Sequence, residues 1–143
     1  MVRAGELLGA LGSAADEVWP GDRWPPMRLE GAPAVGVRGA HGPVRYVVSE
    51  YLPGRRLAFT FTSPQGFYGG HAFEVVPDGD GVWFGHTLEL TPVGWARVAW
   101  PLAFGPLHDA LAADAIVRAR RAVGEAVEQA RGSAWVRLLR LGG

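Results

Sequence analysis

Residues 44–90 read VRYVVSEYLPGRRLAFTFTSPQGFYGGHAFEVVPDGDGVWFGHTLEL, and apolar and polar side chains alternate along most of that length. Val44, Tyr46, Val48 and Leu52 fall on one side of the first run, with Arg45, Val47, Ser49 and Tyr51 on the other. Leu57, Phe59 and Phe61 alternate with Ala58, Thr60 and Thr62; His71, Phe73 and Val75 alternate with Ala72, Glu74 and Val76. Val82, Phe84, His86, Leu88 and Leu90 do the same against Trp83, Gly85, Thr87 and Glu89. Each run is closed by turn residues: LPGRR, then SPQG, then PDGDG. A period of two, broken by Pro and Gly, is the pattern of an antiparallel meander with one apolar face. Val35–Gly39 reads as a further short strand ahead of it.

The period then changes. From about Pro106, Leu107, Leu111, Ala115, Ala119, Val123 and Val127 recur at helical spacing, while Arg118, Arg120, Arg121, Glu125 and Glu128 sit mostly off that stripe. One amphipathic helix of roughly seven turns is expected. At the other end, Leu7, Leu8, Leu11, Ala15 and Val18 predict a helix over residues 2–18, followed by a Pro/Gly-rich loop, WPGDRWPPMRLEGAP. The expected fold is α+β: a short N-terminal helix, then a curved antiparallel sheet wrapped around a long C-terminal helix. A twisted sheet cannot lie flat on a rod, so the two leave room for a cavity.

Composition bounds the chemistry. The chain has 143 residues, 48% hydrophobic and 20% charged, which suits one globular domain spanning 1–143 with a short tail at 132–143. Net charge is zero, against the basic excess that nucleic-acid binding wants. All 14 basic residues are arginine, which fits GC-rich coding and excludes a lysine Schiff base. Without cysteine there is no disulfide, thiolate nucleophile or iron–sulfur ligation. The first residues carry acids and no long apolar run, unlike a signal peptide, and no segment is apolar for ~18 residues, so no integral membrane segment is read. A cytoplasmic protein is the default expectation.

The segments DRWPPM (22–27), GAHGPVRYVVSEYLPGRR (39–56), GFYGGHAFEV (66–75) and PLHDALAADAI (106–116), in this order of elements, resemble the START/Bet v1-like helix-grip superfamily, also called SRPBCC or polyketide cyclase/dehydrase-like, and a bacterial subgroup of it. The resemblance covers roughly residues 6–127. It implies a cavity between sheet and helix for an apolar or amphipathic small molecule. Its members include carriers, receptors, cyclases and chaperone activators, so fold alone does not set the activity. In that family a strand precedes the first helix and lies beside the last strands. Here the pattern opens at Val2 or Arg3, so that first strand is missing, which implies a start codon further upstream or an open sheet edge.

Three clusters are candidates for chemistry. His41, Arg45 and Tyr46 enter one strand, but alternation puts Arg45 opposite Tyr46; the plain reading is a turn histidine, a solvated arginine and a core tyrosine. His71 and His86 share faces with core residues. With Asp78-Gly79 as a two-residue turn, His71 falls opposite His86, Phe73 opposite Phe84 and Val75 opposite Val82. Two imidazoles on an apolar wall can hold a polar group or act as acid and base, or simply bond to each other. A metal would need a third ligand, with only His108 or Asp109 at hand, and none is expected. GFYGGHAF precedes a strand rather than a helix, so it is no phosphate loop and no cofactor is expected. The paired tryptophans of WPGDRWPPM and WARVAWPLAF can rim a pocket or cap the core.

The expected ligand-binding set is Tyr46, Phe59, Phe61, His71, Phe73, Phe84, His86, Leu88 and Leu111 around a small hydrophobic molecule. Binding or carriage is the first expectation. A cyclase- or dehydratase-like enzyme using pocket His and Tyr is the second, and a protein-interaction module the third. The open sheet edge or the Trp- and Arg-bearing tail could also join two copies.

Overall fold

The computed structural model describes residues 2–127 and 133–141. Its elements are α1 (Val2–Ala10), β1 (Arg28–Leu29), β2 (Arg38–His41), β3 (Val44–Leu52), β4 (Arg56–Ser63), β5 (Phe67–Asp78) and β6 (Gly81–Pro92), followed by the helices. The six strands form one curved antiparallel sheet in the order β1-β2-β3-β4-β5-β6. The class is α+β.

The long helix is displaced from its expected position. It begins at Ala96 as α2 (Ala96–Ala99), continues through a π-helical stretch at Trp100–Phe104, and becomes α3 (Gly105–Ala122). Pro101 has no N–H to give to the preceding turn, and the N–H of Gly105 bonds the carbonyl of Trp100 instead, five residues back. The expected continuation through Val123 to Val127 is not helical. Gly124, at φ +94°, ends α3, with Glu125 N–H bonding the Arg120 carbonyl at 3.0 Å and Gly124 N–H that of Arg121 at 2.9 Å. That is a Schellman motif, in which a left-handed glycine satisfies the last carbonyls. Glu128, expected off the apolar stripe of this helix, lies outside the described residues.

The N-terminal helix is shorter than residues 2–18. It stops at Ala10, and Asp16 takes over the next turns by accepting bonds from the N–H groups of Gly12, Val18 and Trp19. Leu11 and Val18 are still fully buried, so the apolar pattern was a true core signal carried by a loop, whereas Ala15 is exposed. The short strand expected at Val35–Gly39 sits at Arg38–His41, and its neighbour β1 lies in the stretch read as loop.

Two details of register matter. Val48 pairs with Phe59 and Glu50 with Ala58, so Ser49 is an extra residue on β3. Beyond this bulge the faces exchange: Tyr51 packs against the core beside Leu57, and Leu52, expected inward, is exposed. In the β5–β6 hairpin Asp78 pairs with Gly81, so the turn is Gly79-Asp80 rather than Asp78-Gly79. His71 is therefore opposite Leu88, Phe73 opposite His86 and Val75 opposite Phe84. A slip of two residues keeps every side chain on its face, so alternation cannot detect it. The turn decides it: Gly79 holds φ +55°, and among the described residues no non-glycine has positive φ.

One buried cluster joins the layers. Leu7, Leu8 and Leu11 from the N-terminal segment meet Tyr46, Leu57, Phe59 and Phe73 from the sheet and Leu111, Ala115 and Ala119 from α3. The tail forms α4 (Ala134–Leu141), which buries Val136 and anchors through Trp135 Nε1–H to the Leu102 carbonyl at 2.7 Å.

Candidate functional site

A cavity of about 710 Å³ lies between the sheet and α3. The strands contribute His41, Phe61, His71, Phe73 and His86; the long helix contributes Trp100, Phe104, Leu107, His108 and Leu111. Trp19, Arg23 and Trp24 from the loop after α1, and Arg137, Leu139 and Arg140 from α4, complete much of the wall. This is an ordinary size for a small-molecule site, with an apolar lining and few polar groups.

All four histidines of the chain line this one cavity. Their rings form a continuous row with two indoles at its ends. Centroid separations are 4.7 Å from Trp19 to His41, 6.4 Å to His71, 5.3 Å to His86, 4.9 Å to His108 and 5.9 Å to Trp100. Four separate elements bring them together. His41 ends β2, where the tight β2–β3 connection returns the chain so that Tyr46 lies beside it, and His41 Nδ1 sits 3.2 Å from the Tyr46 hydroxyl. His71 and His86 are diagonal neighbours on β5 and β6, within reach of aromatic side chains in an antiparallel pair. Their Nδ1 and Nε2 atoms are 3.1 Å apart. His108 comes from the start of α3 and rests on His86.

His71 is the centre of the row and is 6% exposed. It stacks on Phe59 at 4.8 Å and on Phe61 at 5.4 Å, with Tyr46 and Phe73 edge-on. Its Nε2, and that of His108, are buried without a hydrogen-bond partner among the described residues. Burial disfavours the imidazolium in every case, and neighbouring histidines add to it at His41, His71 and His86. Burial, then His108 and Arg45, pushes His41 down to about 4; burial, then His108 and His41, pushes His86 down to about 3. His71 is held well below the usual histidine range by burial and then by His86. His108 is lowered by burial against the opposing pull of Asp109. Tyr46 is raised by burial and stays a phenol. At neutral pH the wall is thus a set of uncharged imidazoles, each able to donate at one nitrogen and accept at the other.

Of the expected ligand-binding set, Phe61, His71, Phe73, His86 and Leu111 stand in the cavity wall. Tyr46, Phe59, Phe84 and Leu88 do not. Tyr46 and Phe59 form the layer behind His71; Phe84 leans on Phe73 at 6.2 Å; Leu88 is the ladder partner of His71. Arg45 turns away and bonds the Gly42 carbonyl. Both tryptophan-bearing segments reach the cavity, through Trp19, Trp24 and Trp100. Among the described residues no three His, Asp or Glu side chains are placed to hold a metal ion.

Asp114 escaped the sequence reading as anything beyond a helix residue. It is 7% exposed and accepts bonds from Trp24 Nε1 at 2.8 Å and Arg23 Nη1 at 3.1 Å, fixing the loop wall of the cavity to α3. Arg140 stacks on the other side of this joint, 4.7 Å from the Trp24 ring centroid, and donates to the Arg23 carbonyl. The signal was present: a carboxylate beside Ala115 and three residues after Leu111, on the apolar stripe.

Comparison of the chain with protein-family models, with curated proteins and with solved structures returned no match.

Proposed function

We propose that this chain binds a small, largely apolar molecule in the cavity between sheet and long helix, and that its architecture is of the helix-grip type. The observation that carries the reading is the 710 Å³ space itself, walled by Phe61, Phe73, Phe104, Leu107 and Leu111, with uncharged imidazoles as its principal polar groups on the sheet side. Apolar area removed from water there contributes at the usual rate of roughly 25 cal/mol per Å². Native mass spectrometry of gently purified protein tests it. A defined adduct mass, lost on partial unfolding, is the expected result; protein that carries no adduct and takes up no hydrophobic compound from a mixed panel overturns the reading.

A second reading is acid–base catalysis in the same cavity, of the cyclase or dehydratase kind. The 3.1 Å contact of His71 with His86 favours it, since paired imidazoles can pass a proton between a donating and an accepting nitrogen. It predicts turnover that falls by orders of magnitude in His86→Phe while binding survives.

A third concerns partners. β6 is a twelve-residue edge strand with no strand beyond it among the described residues, and such an edge is a template for pairing. We propose that a second copy pairs there; light scattering across a micromolar dilution series showing only monomer would remove the idea.

A further inference from the structure

We propose that the His71–His86 pair, flanked by His108, is a hydrogen-bonding subsite that takes one uncharged hydroxyl or carbonyl oxygen of the ligand. This rests on the cavity-binding reading above and names the ligand chemistry it selects.

The first ground is an unbalanced hydrogen-bond inventory. His71 and His86 satisfy one nitrogen each by facing one another at 3.1 Å. His71 Nε2 and His108 Nε2, on the two rings that neighbour His86, are buried and have no partner among the described residues. Native interiors rarely leave such atoms unpaired, and where they do a ligand or water commonly supplies the missing group. All three rings belong to the cavity wall.

The second ground is tautomer coupling. A single proton lies between His71 Nδ1 and His86 Nε2. If His71 Nδ1 carries it, neutral His71 has a bare Nε2 that accepts from a hydroxyl. If His86 Nε2 carries it, His71 accepts at Nδ1, so its own proton is on Nε2, which donates to a carbonyl. Shifting the protons within the pair therefore converts the open nitrogen from acceptor to donor with no net charge and no movement of heavy atoms. A hydroxyl, being both donor and acceptor, can satisfy one nitrogen while receiving from another.

The third ground is that the described residues place no countercharge against His71. The rings around His71 are Phe59, Phe61, Tyr46, Phe73, His41 and His86. Arg23, the cavity's loop arginine, is paired with Asp114, and Arg137 and Arg140 belong to α4. A carboxylate at His71 would lose its hydration among phenyl rings with no cation in contact among the described residues, a large cost, whereas an alcohol or ketone loses little. The depressed titration of these histidines supports the same conclusion, since none supplies a positive charge at neutral pH.

Equilibrium dialysis at pH 7.5 with naphthalene, 2-naphthol and 2-naphthoate tests this with three probes of one shape. The expected order is 2-naphthol tightest, about five- to tenfold over naphthalene, the effect of one well-placed hydrogen bond. In His71→Phe the ratio of 2-naphthol to naphthalene affinity falls to about one, and His71→Gln recovers part of it. Naphthalene binding without a naphthol preference overturns the subsite and leaves the cavity reading standing; no binding of any probe overturns both. Naphthoate binding tightest also overturns it. Should His71→Phe not fold, imidazole nitrogen NMR shifts of the native protein decide: His71 Nε2 must move with 2-naphthol and stay with naphthalene.

Discussion

His71 Nδ1 lies 3.1 Å from His86 Nε2 although the two residues are not ladder partners, since His71 faces Leu88 and His86 faces Phe73. The contact runs diagonally across the β5–β6 hairpin. It is the middle link of the imidazole row, and its energetics can be isolated.

His71→Phe is expected to cost only about 1 kcal/mol: it leaves His86 Nε2 without its partner, but a phenyl ring can stack on Phe59 and Phe61 and an orphaned nitrogen is removed. His86→Phe leaves His71 Nδ1 without its partner and should cost about 1–3 kcal/mol. The double variant should recover much of that loss, so the two effects are non-additive. Urea unfolding of the four proteins checks the cycle; simple additivity would mean that the contact carries no coupling.

The buried histidines also predict acid sensitivity. Their folded pKa values lie below the unfolded value of 6.5, at about 4 for His41 and about 3 for His86. Above pH 6.5 both states are neutral at these rings and the stability is fully present. As pH falls below 6.5 the unfolded chain takes up protons that the folded chain refuses, so stability is lost through the window from 6.5 down to the folded values. Each such proton contributes a slope of about 1.4 kcal/mol per pH unit. Tm measured from pH 7.5 to 4 should fall steeply, and the fall should be shallower in His71→Phe.

Asp114→Ala should destabilise by about 3–5 kcal/mol, since it strands Trp24 Nε1–H and leaves Arg23 uncompensated at a largely buried joint. Asp114→Asn keeps an acceptor for the indole and should cost clearly less. Denaturant midpoints with an unchanged slope would report the difference as a native-state effect.

Gly39 is opposite Tyr46 in the β2–β3 pair, and a Cβ placed there would stand 2.5 Å from Tyr46 Cε2 and 2.6 Å from Leu29 Cδ2. Gly39→Val should therefore cost about 1–3 kcal/mol by overpacking and push Tyr46 away from His41. Loss of the Tyr46 hydroxyl contact, read by NMR of the His41 ring, should accompany a lower Tm.

Much of the architecture was legible before any coordinates. The alternation of residues 44–90 specified the meander and the core faces of Phe59, Phe73 and Val75, because side-chain period is a direct consequence of backbone geometry. Helix ends were legible less well. Gly124 ends one helix and Asp16 organises the turns after the other, yet the apolar spacing continues past both, and spacing alone does not show where a backbone hydrogen-bond series closes. The Ser49 bulge left no mark in the pattern until Leu52 was found exposed.

The sequence by itself determined an α+β chain with an apolar sheet face and an amphipathic rod, and it marked His71 and His86 as polar residues on the apolar side. Only the tertiary structure decided that His41 and His108 join them in one row, that Asp114 fastens the tryptophan loop to α3, and that α4 borders the cavity. The physical reason is range. Periodicity is set by neighbours a few residues apart. The meeting of a strand end, a hairpin and a helix start depends on twist, a two-residue register choice and how the rod settles on the sheet, which are balanced over the whole fold.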